Sequence, residues 1–464
     1  MRIAGAALTL LVGFGLSRVI GALRDIVLAA RFGATTDFDL YVAAFRIPDV
    51  VFMLIAGGAL GSTLVPVFAE RREHGAPGAD ARLASTVFNA ILIASTAVSL
   101  AGIAFAPQLA PLIGAGFEPL EQARLALLMR IIFAQPVLLG VSEVLSRYLN
   151  VRGHFTTPAL APALYNIPIM AAAILLGPTL GNVGLALGVV AGAVLYLLVQ
   201  LPSAWGAGFR FRPVIDARDP GLAQVGRLMV PRMVGQGAVQ LAFIATTRLA
   251  SQLPEGSLVV LTFAWQLMNL PLGPLGMALG NAALPTLAAQ AARGDLNAMG
   301  LTARRTLGAI LLLILPAAIV LVVAGLPIVR LLYERGAFTP EDSARTAVAL
   351  AIYAAGLPAH GAIEILTRSF YALHDTRTPV AIGVATMAAN VAVAYALAGR
   401  LGYPAIPIGM SVGTTAEAIV LWLLLRPRVP GLASLAIFIP DPRAGLELVS
   451  ARLGRFKRGG SGDN

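Results

Sequence analysis

Apolar stretches long enough to cross a bilayer recur along this 464-residue chain, and that recurrence narrows the fold more than any motif does. A helical span needs about 20 residues, because in hydrocarbon every backbone N–H and C=O must be satisfied within the segment itself. A membrane barrel would instead show short strands of alternating polarity. Hydrophobic residues make up 58% of the chain and charged residues 12%. A soluble domain carries about twice that share of charge. The expected class is an all-α polytopic membrane protein.

Twelve spans are predicted, at 3–30, 37–70, 83–113, 121–149, 157–177, 182–204, 222–252, 257–291, 302–332, 342–372, 378–399 and 404–425. Several exceed the bilayer thickness, so bending or tilting is expected. Pro48, Gly57, Gly58 and Pro66 supply breaks in the second span, and Pro271, Gly273, Pro274, Gly276 and Pro285 in the eighth. Arg18, Arg24 and Asp25 interrupt the first apolar run, and further spans follow at once, so it does not read as a cleavable signal. There is no cysteine, which excludes disulfides and thiol chemistry.

The net charge of +11 does not point to nucleic acid, because the basic residues sit mostly in loops and in the tail. With the N-terminus inside, thirteen arginines fall in cytoplasmic loops: Arg71, Arg72, Arg82, Arg147, Arg152, Arg210, Arg212, Arg218, Arg227, Arg293, Arg304, Arg305 and Arg377. Only Arg31, Arg335 and Arg400 lie opposite, and the bias places both termini in the cytoplasm. The tail continues the bias, and 444–458 reads either as a basic amphipathic helix on the anionic leaflet or as a solvated tail. No stretch after Leu425 reads as a further span.

Residues 117–147 recur as 338–368 at an offset of 221, matching Phe117, Pro119, Gly140, Glu143 and Arg147 to Phe338, Pro340, Gly361, Glu364 and Arg368. Thr157-Pro158 recurs as Thr378-Pro379 at the same offset. An offset covering an even number of helices makes the halves parallel, as in transporters that alternate access around a site between repeats. The predicted organisation is a six-helix lobe at 1–204, a cytoplasmic linker at 205–221, a second lobe at 222–425 and a basic tail at 426–464.

Charge inside the first two spans is the functional signal, since intramembrane charges face a bundle interior or a watery cavity. Arg18 and Arg24 lie about 120° apart on an ideal helix, so both can address one cavity. A planar, permanently charged guanidinium suits a phosphate oxygen, so an anionic, phosphate-bearing substrate is expected. The competing reading is that Arg24 pairs with Asp25 or Asp39 and locks the bundle. Arg46 and Asp49, three apart, read as a helix pair, and so do Glu143 with Arg147 and Glu364 with Arg368. Asn166 and Asn390 have amides that can bond a neighbouring helix. The four histidines show no metal-ligand spacing, and there is no P-loop and no nucleophile–base arrangement, so neither a cofactor nor an enzyme is expected.

Ser17-Arg18-Val19, Gly21, Arg24-Asp25, Phe32-Gly33, Asp39, the run Val42 to Pro48, Gly58-Ala59 and Val65-Pro66 form a pattern over the first two spans. In it the chain resembles the MurJ/MviN family, the lipid II flippases of the MOP exporter superfamily, and the resemblance extends more weakly to residue 425. It implies a V-shaped, two-lobed bundle with a cationic cavity. It also implies outward transport of undecaprenyl-diphosphate-linked peptidoglycan precursor across the bacterial cytoplasmic membrane. The family's cavity arginines match Arg18 and Arg24, and its acid at the second helix start matches Asp39; Ser17, Asp25 and Arg46 complete the candidate substrate-binding set. The implied partners are a lipid-linked anionic saccharide and membrane lipids. Many members have a further Arg where this chain has Phe52, an Arg and a Glu where it has Gln266 and Asn269, and two more C-terminal spans. Two other readings stay open: an exporter of another lipid-linked oligosaccharide or a MATE-like substrate, and a non-transporting scaffold for cell-wall synthesis.

Overall fold

The computed structural model describes residues 2–55, 59–76, 78–213, 215–216, 218–273, 276 and 278–432. Gly57, Gly58, Pro274 and the possible amphipathic helix at 444–458 lie outside them. The helices run, in chain order, α1 Arg2–Phe32, α2 Thr36–Ala44, α3 Arg46–Ile55, α4 Ala59–His74, α5 Ala79–Ile113, α6 Pro119–Ile132, α7 Ala134–Val151, α8 Thr156–Leu175, α9 Gly177–Leu180 and α10 Asn182–Gly206. They continue with α11 Pro220–Ser251, α12 Ser257–Leu272, α13 Ala278–Ala292, α14 Leu296–Val323, α15 Gly325–Tyr333, α16 Pro340–Ala355, α17 Leu357–Ala372, α18 Arg377–Leu401 and α19 Ala405–Leu425, before a 3-10 turn at Pro430–Leu432. Among the described residues there is no strand. The described residues of each predicted stretch are helical apart from short turns and bends. Among the described residues eight helical stretches are long and apolar enough to cross a membrane: α5, α6–α7, α8, α10, α14, α16–α17, α18 and α19. The other four stretches carry charges or are interrupted.

Proline places many of the interruptions. It has no N–H for the carbonyl four residues back, and its ring crowds that carbonyl. Pro48, Pro136 and Pro327 stand four residues after Ala44, Ile132 and Val323, the last residues of α2, α6 and α14. Pro66 and Pro285 were also expected to break their spans, but α4 and α13 run through them. The eighth span gives way after Pro271, and the backbone widens to π geometry at Gly273 and Gly276.

The chain divides into two compact units, Met1–Val259 with Leu332–Asp342, and Val260–Leu331 with the chain from Ser343 on. In the first unit α8 packs against α10 and α1, and α11 packs on α3, α4 and α5. The segment read as a linker is tied down within this unit. Phe209 is buried with its ring beside Phe88 and Tyr148, Ser85 bonds both N–H and C=O of Arg212, and Arg71 pairs with Asp219 at 2.5 Å. In the second unit α18 packs against α19, and α17 against α14 and α19.

The repeat recurs in local structure. The Glu118 N–H bonds the Glu121 carboxylate at 2.8 Å to start α6, and Thr339 N–H bonds Asp342 at 2.9 Å to start α16, in equivalent positions 221 residues apart. Gly188 and Gly192 of α10 recur as Gly409 and Gly413 of α19 at that same offset of 221. A Cβ on Gly192 would lie 2.4 Å from the Tyr165 carbonyl oxygen, and one on Gly409 2.5 Å from that of Asn390. Small residues four apart thus bring two backbones together in each unit, the packing device of helices in lipid. Arg147 meets Glu143 at 2.5 Å, and Arg368 pairs with Glu364, as their i, i+4 spacing predicts.

Candidate functional site

The site is built where α1 crosses α8. A Cβ on Gly13 would stand 2.5 Å from the Cβ of Ala159, so the missing side chain sets how closely the helices approach. Further along α1 that proximity brings Arg24 to Asn166. Arg24 Nη1 donates to Asn166 Oδ1 at 2.9 Å, while its Nε and Nη2 donate to Asp25 Oδ1 at 3.0 and 2.8 Å. Asn166 is itself held, because its amide nitrogen donates to the Pro162 carbonyl at 2.9 Å. The phenols of Tyr41, Tyr165 and Tyr333 lie within electrostatic reach of Arg24. The Arg24 side chain is 25% exposed and that of Asp25 9%, so Asp25 is buried while the cation keeps an open edge.

Arg18 is placed differently. It is exposed on α1, and among the described residues it has neither an ion-pair nor a hydrogen-bond partner. It precedes Asp25 by seven residues, so the two share one stripe of the helix, about 20° apart on ideal geometry. Ser17 beside it is partly exposed. The α1 cations thus fall into two kinds: one fixed by a carboxylate and an amide, the other open.

Asp39 is 3% exposed. Its Oδ1 accepts the N–H of Val259 at 2.9 Å, in the first turn of α12. A carboxylate there satisfies an orphan donor and meets the positive end of the helix dipole. Around it the chain is tightly clasped. Thr36 N–H bonds Glu255 at 2.7 Å, and Ala337 N–H bonds the Ala30 carbonyl at 2.8 Å. Gly256 (φ 75°) and Gly336 (φ 62°) approach the Ala34 and Ala30 carbonyls so closely that a Cβ would stand 2.1 Å from either oxygen. Arg46 does not join Arg24; its guanidinium lies over the Phe243 ring of α11 at 5.7 Å, and its charge acts on Asp49.

The six candidates therefore do not form one cluster. Arg24 and Asp25 are together, Ser17 and Arg18 lie farther along the same helix, Asp39 holds Val259, and Arg46 acts on Asp49, which is within electrostatic reach of the same Tyr41 and Tyr165 as Arg24. The sequence reading missed Asn166 as the partner of Arg24, although its amide had been singled out. The three tyrosines carry no signal in an apolar run. Where many family members carry an arginine, Phe52 packs against the core of Leu139, Ala161, Ala193 and Tyr196. In the second unit Asn269 returns its amide to the Trp265 carbonyl at 2.8 Å, four residues back.

The family model for the lipid II flippase MurJ matches residues 28–441. The lipid II flippase MurJ of Burkholderia cenocepacia is 32% identical over 94% of this chain and 86% of its own length. The probable lipid II flippase MurJ of Haemophilus influenzae is 32% identical over 88% and 83%. Among solved structures, a lipid II flippase MurJ in an inward closed conformation superposes with a TM-score of 0.78 at 21% identity, covering 98% of this chain and 94% of that one. An inward-facing MATE multidrug transporter of the MOP superfamily superposes at 0.75 with 16% identity, covering 92% and 99%. These folds agree with the all-helical architecture, and the match of the family model over most of the sequence decides the assignment: this chain belongs to the MurJ lipid II flippase family.

Proposed function

We propose that this chain is a flippase that carries lipid II, the undecaprenyl-diphosphate-linked peptidoglycan precursor, outward across the bacterial cytoplasmic membrane. Both termini are cytoplasmic in this reading, and the repeats at 1–204 and 222–425 act as the two lobes of an alternating-access cycle. The observation that carries it is the exposed, unpartnered guanidinium of Arg18 on the helix that also holds Arg24. An intramembrane cation without a protein partner is costly unless a ligand or water supplies one, and a diphosphate offers the acceptor geometry that guanidinium matches. Arg24 contributes its open edge, with Asp25 and Asn166 fixing its direction. Asp39 acts on the clasp rather than on the substrate. The names of relatives at 32% identity support lipid II as the cargo.

Phe52 favours a second reading, transport of another polyprenyl-diphosphate glycan. An aromatic ring packed into an apolar core offers nothing to a charged headgroup. The test is translocation of lipid II in proteoliposomes by the native chain and by Arg18→Ala. Flipping that falls at least tenfold in the variant supports the first reading. No flipping by folded, reconstituted native protein removes it in favour of the second.

A further inference from the structure

One carboxylate in the second unit has no role in the site above. Glu417 sits near the middle of α19, a span in which the side chain must be satisfied by protein. It faces α18, where Thr386 Oγ1 lies 3.0 Å from Glu417 Oε2. Gly383 makes room for it: a Cβ there would stand 3.4 Å from Glu417 Oε1. Among the described residues no cation pairs with it. α18 has its titratable residues, Arg377, Tyr395 and Arg400, towards its ends; those at the heart of α17 are His360, against Trp265, and the paired Glu364 and Arg368. In the first unit the positions of Glu417 and Thr386 are taken by Tyr196 and Tyr165, 221 residues earlier, so the fold of a lobe does not require an acid there.

The hydrogen count at Thr386 gives this carboxylate a task. Thr386 Oγ1 has three acceptors within reach: the Ile382 carbonyl at 2.9 Å, the Gly383 carbonyl at 3.1 Å and Glu417 Oε2 at 3.0 Å. A hydroxyl has one proton to give and lone pairs to receive with. When Glu417 is ionised, the hydroxyl proton must go to the carboxylate. When Glu417 is protonated, its O–H donates to Thr386 Oγ1, and the threonine proton turns to Ile382 or Gly383. The bond between Glu417 Oε2 and Thr386 Oγ1 is kept in both states without movement of either backbone.

We propose that Glu417, with Thr386, is a reversible proton-binding site inside the second unit, and that protonation there is linked to the transport cycle. The link rests on the flippase reading; the site does not. The proton arrives from water at one face of the membrane, resides on Oε2, and leaves to water at the other, with the threonine hydroxyl rotating and no covalent bond to carbon changing. A ligand or proton drives such a cycle only by binding its conformations unequally.

Infrared difference spectra of the full chain in liposomes, titrated with acid in sodium-free buffer, test the site. The expected result is a protonated-carboxyl band that titrates in the wild type and is missing from Glu417→Gln. Thr386→Val removes the hydroxyl partner while keeping the carboxyl and shifts the frequency of the band, which carries the test should Glu417→Gln fail to fold. A wild-type spectrum with no such band, or a band that disappears when sodium is added at constant pH, overturns the site. For the link, an imposed pH gradient across proteoliposomes speeds lipid II flipping several-fold in the wild type and leaves the Glu417→Gln rate unchanged; equal responses overturn it. Absence of flipping in every sample removes the flippase reading and leaves the titration to decide the site.

Discussion

Arg24 Nη1 donates to Asn166 Oδ1 at 2.9 Å, joining α1 to α8 through a guanidinium nitrogen that Asp25 does not use. Arg18, on the same helix, has no such partner. The two arginines should therefore fail differently. Arg18→Ala removes no contact, so folding stability changes by less than about 0.5 kcal/mol while flipping is lost. Arg24→Ala strands the buried Asp25 carboxylate and costs about 3 kcal/mol. Thermal unfolding of the two purified variants in detergent checks this. Equal melting temperatures would show that the Arg24 network is not structural.

Arg24→Lys should fail as well. A lysine ammonium is a single point on a flexible stem and cannot fork onto Asp25 while reaching Asn166. Asn166→Leu keeps the Asp25 fork but leaves Nη1 unsatisfied, at a cost of about 1–3 kcal/mol. Proteoliposome flipping should rank native above Asn166→Leu and Asn166→Leu above Arg24→Lys. The reverse order would place the directing role on the amide alone.

The class of fold was legible because lipid forces a plain code: long apolar runs, arginine-rich loops and a repeat at fixed offset. Several helix ends were legible too, since Pro48, Pro136 and Pro327 deprive identifiable carbonyls of their donor. Pro66 and Pro285 show the limit, because a helix in a bundle can absorb a missing bond when its neighbours hold it. The arginines announced themselves by breaking an apolar stretch, and Asp25 was legible as a partner of Arg24, but the partners distant in sequence were not. Arg24 and Asn166 are 142 residues apart in sequence, and Asp39 and Val259 are 220 apart. Such pairings are fixed by helix packing, which depends on glycines such as Gly13 whose role appears only once the facing helix is known.

Gly413 offers a packing test. A Cβ there would overlap the side-chain amide of Asn390, which can bond the Gly409 and Thr386 carbonyls across and along the helix pair. Gly413→Ala must displace that amide and part α18 from α19, so a loss of about 1–3 kcal/mol is expected. Gly399→Ala, with open space around it, is the control. Unfolding temperatures that do not separate the two variants would mean that the contact yields without strain.

Asp375 sets a pH limit on the end of the second unit. It accepts the backbone N–H and the hydroxyl of Thr378 at 3.0 and 2.8 Å at the start of α18, and pairs with Arg428 at 2.7 Å. These bonds, the backbone N–H foremost, hold its carboxyl down at about 2. A depressed acid stabilises the folded state above its unfolded pKa of about 3.9, and that contribution fades as the pH falls towards the folded value. Protection from hydrogen exchange at 377–380 and 426–432, taken relative to the intrinsic rate at each pH, should be high at neutral pH and fall below about pH 4. Asp375→Asn should show the lower protection at neutral pH and converge with the wild type as the pH falls towards the folded value. An acid-insensitive wild type would rule the cap out as the tie.

The clasp at the end of α1 yields the most direct test of motion. Ala337 N–H bonds the Ala30 carbonyl at 2.8 Å, and Asp39 holds Val259 nearby at 2.9 Å. If the chain alternates access, segments as tightly interlocked as these must separate once in each cycle, because a substrate cannot leave through a closed contact. The native chain contains no cysteine, so Ala30→Cys with Ala337→Cys gives an otherwise thiol-free background. A disulfide tolerates Cα separations of about 4.4–6.8 Å, a range that backbone-bonded neighbours meet. Oxidation should form it in high yield, stop flipping, and be reversed by dithiothreitol, whereas either single cysteine should flip normally under oxidant. Asp39→Asn weakens the same clasp by removing the charge at the start of α12, so its oxidised double-cysteine version should cross-link more slowly. A cross-linked protein that still flips at the native rate would mean that this contact stays closed throughout transport, and that the opening lies elsewhere in the molecule.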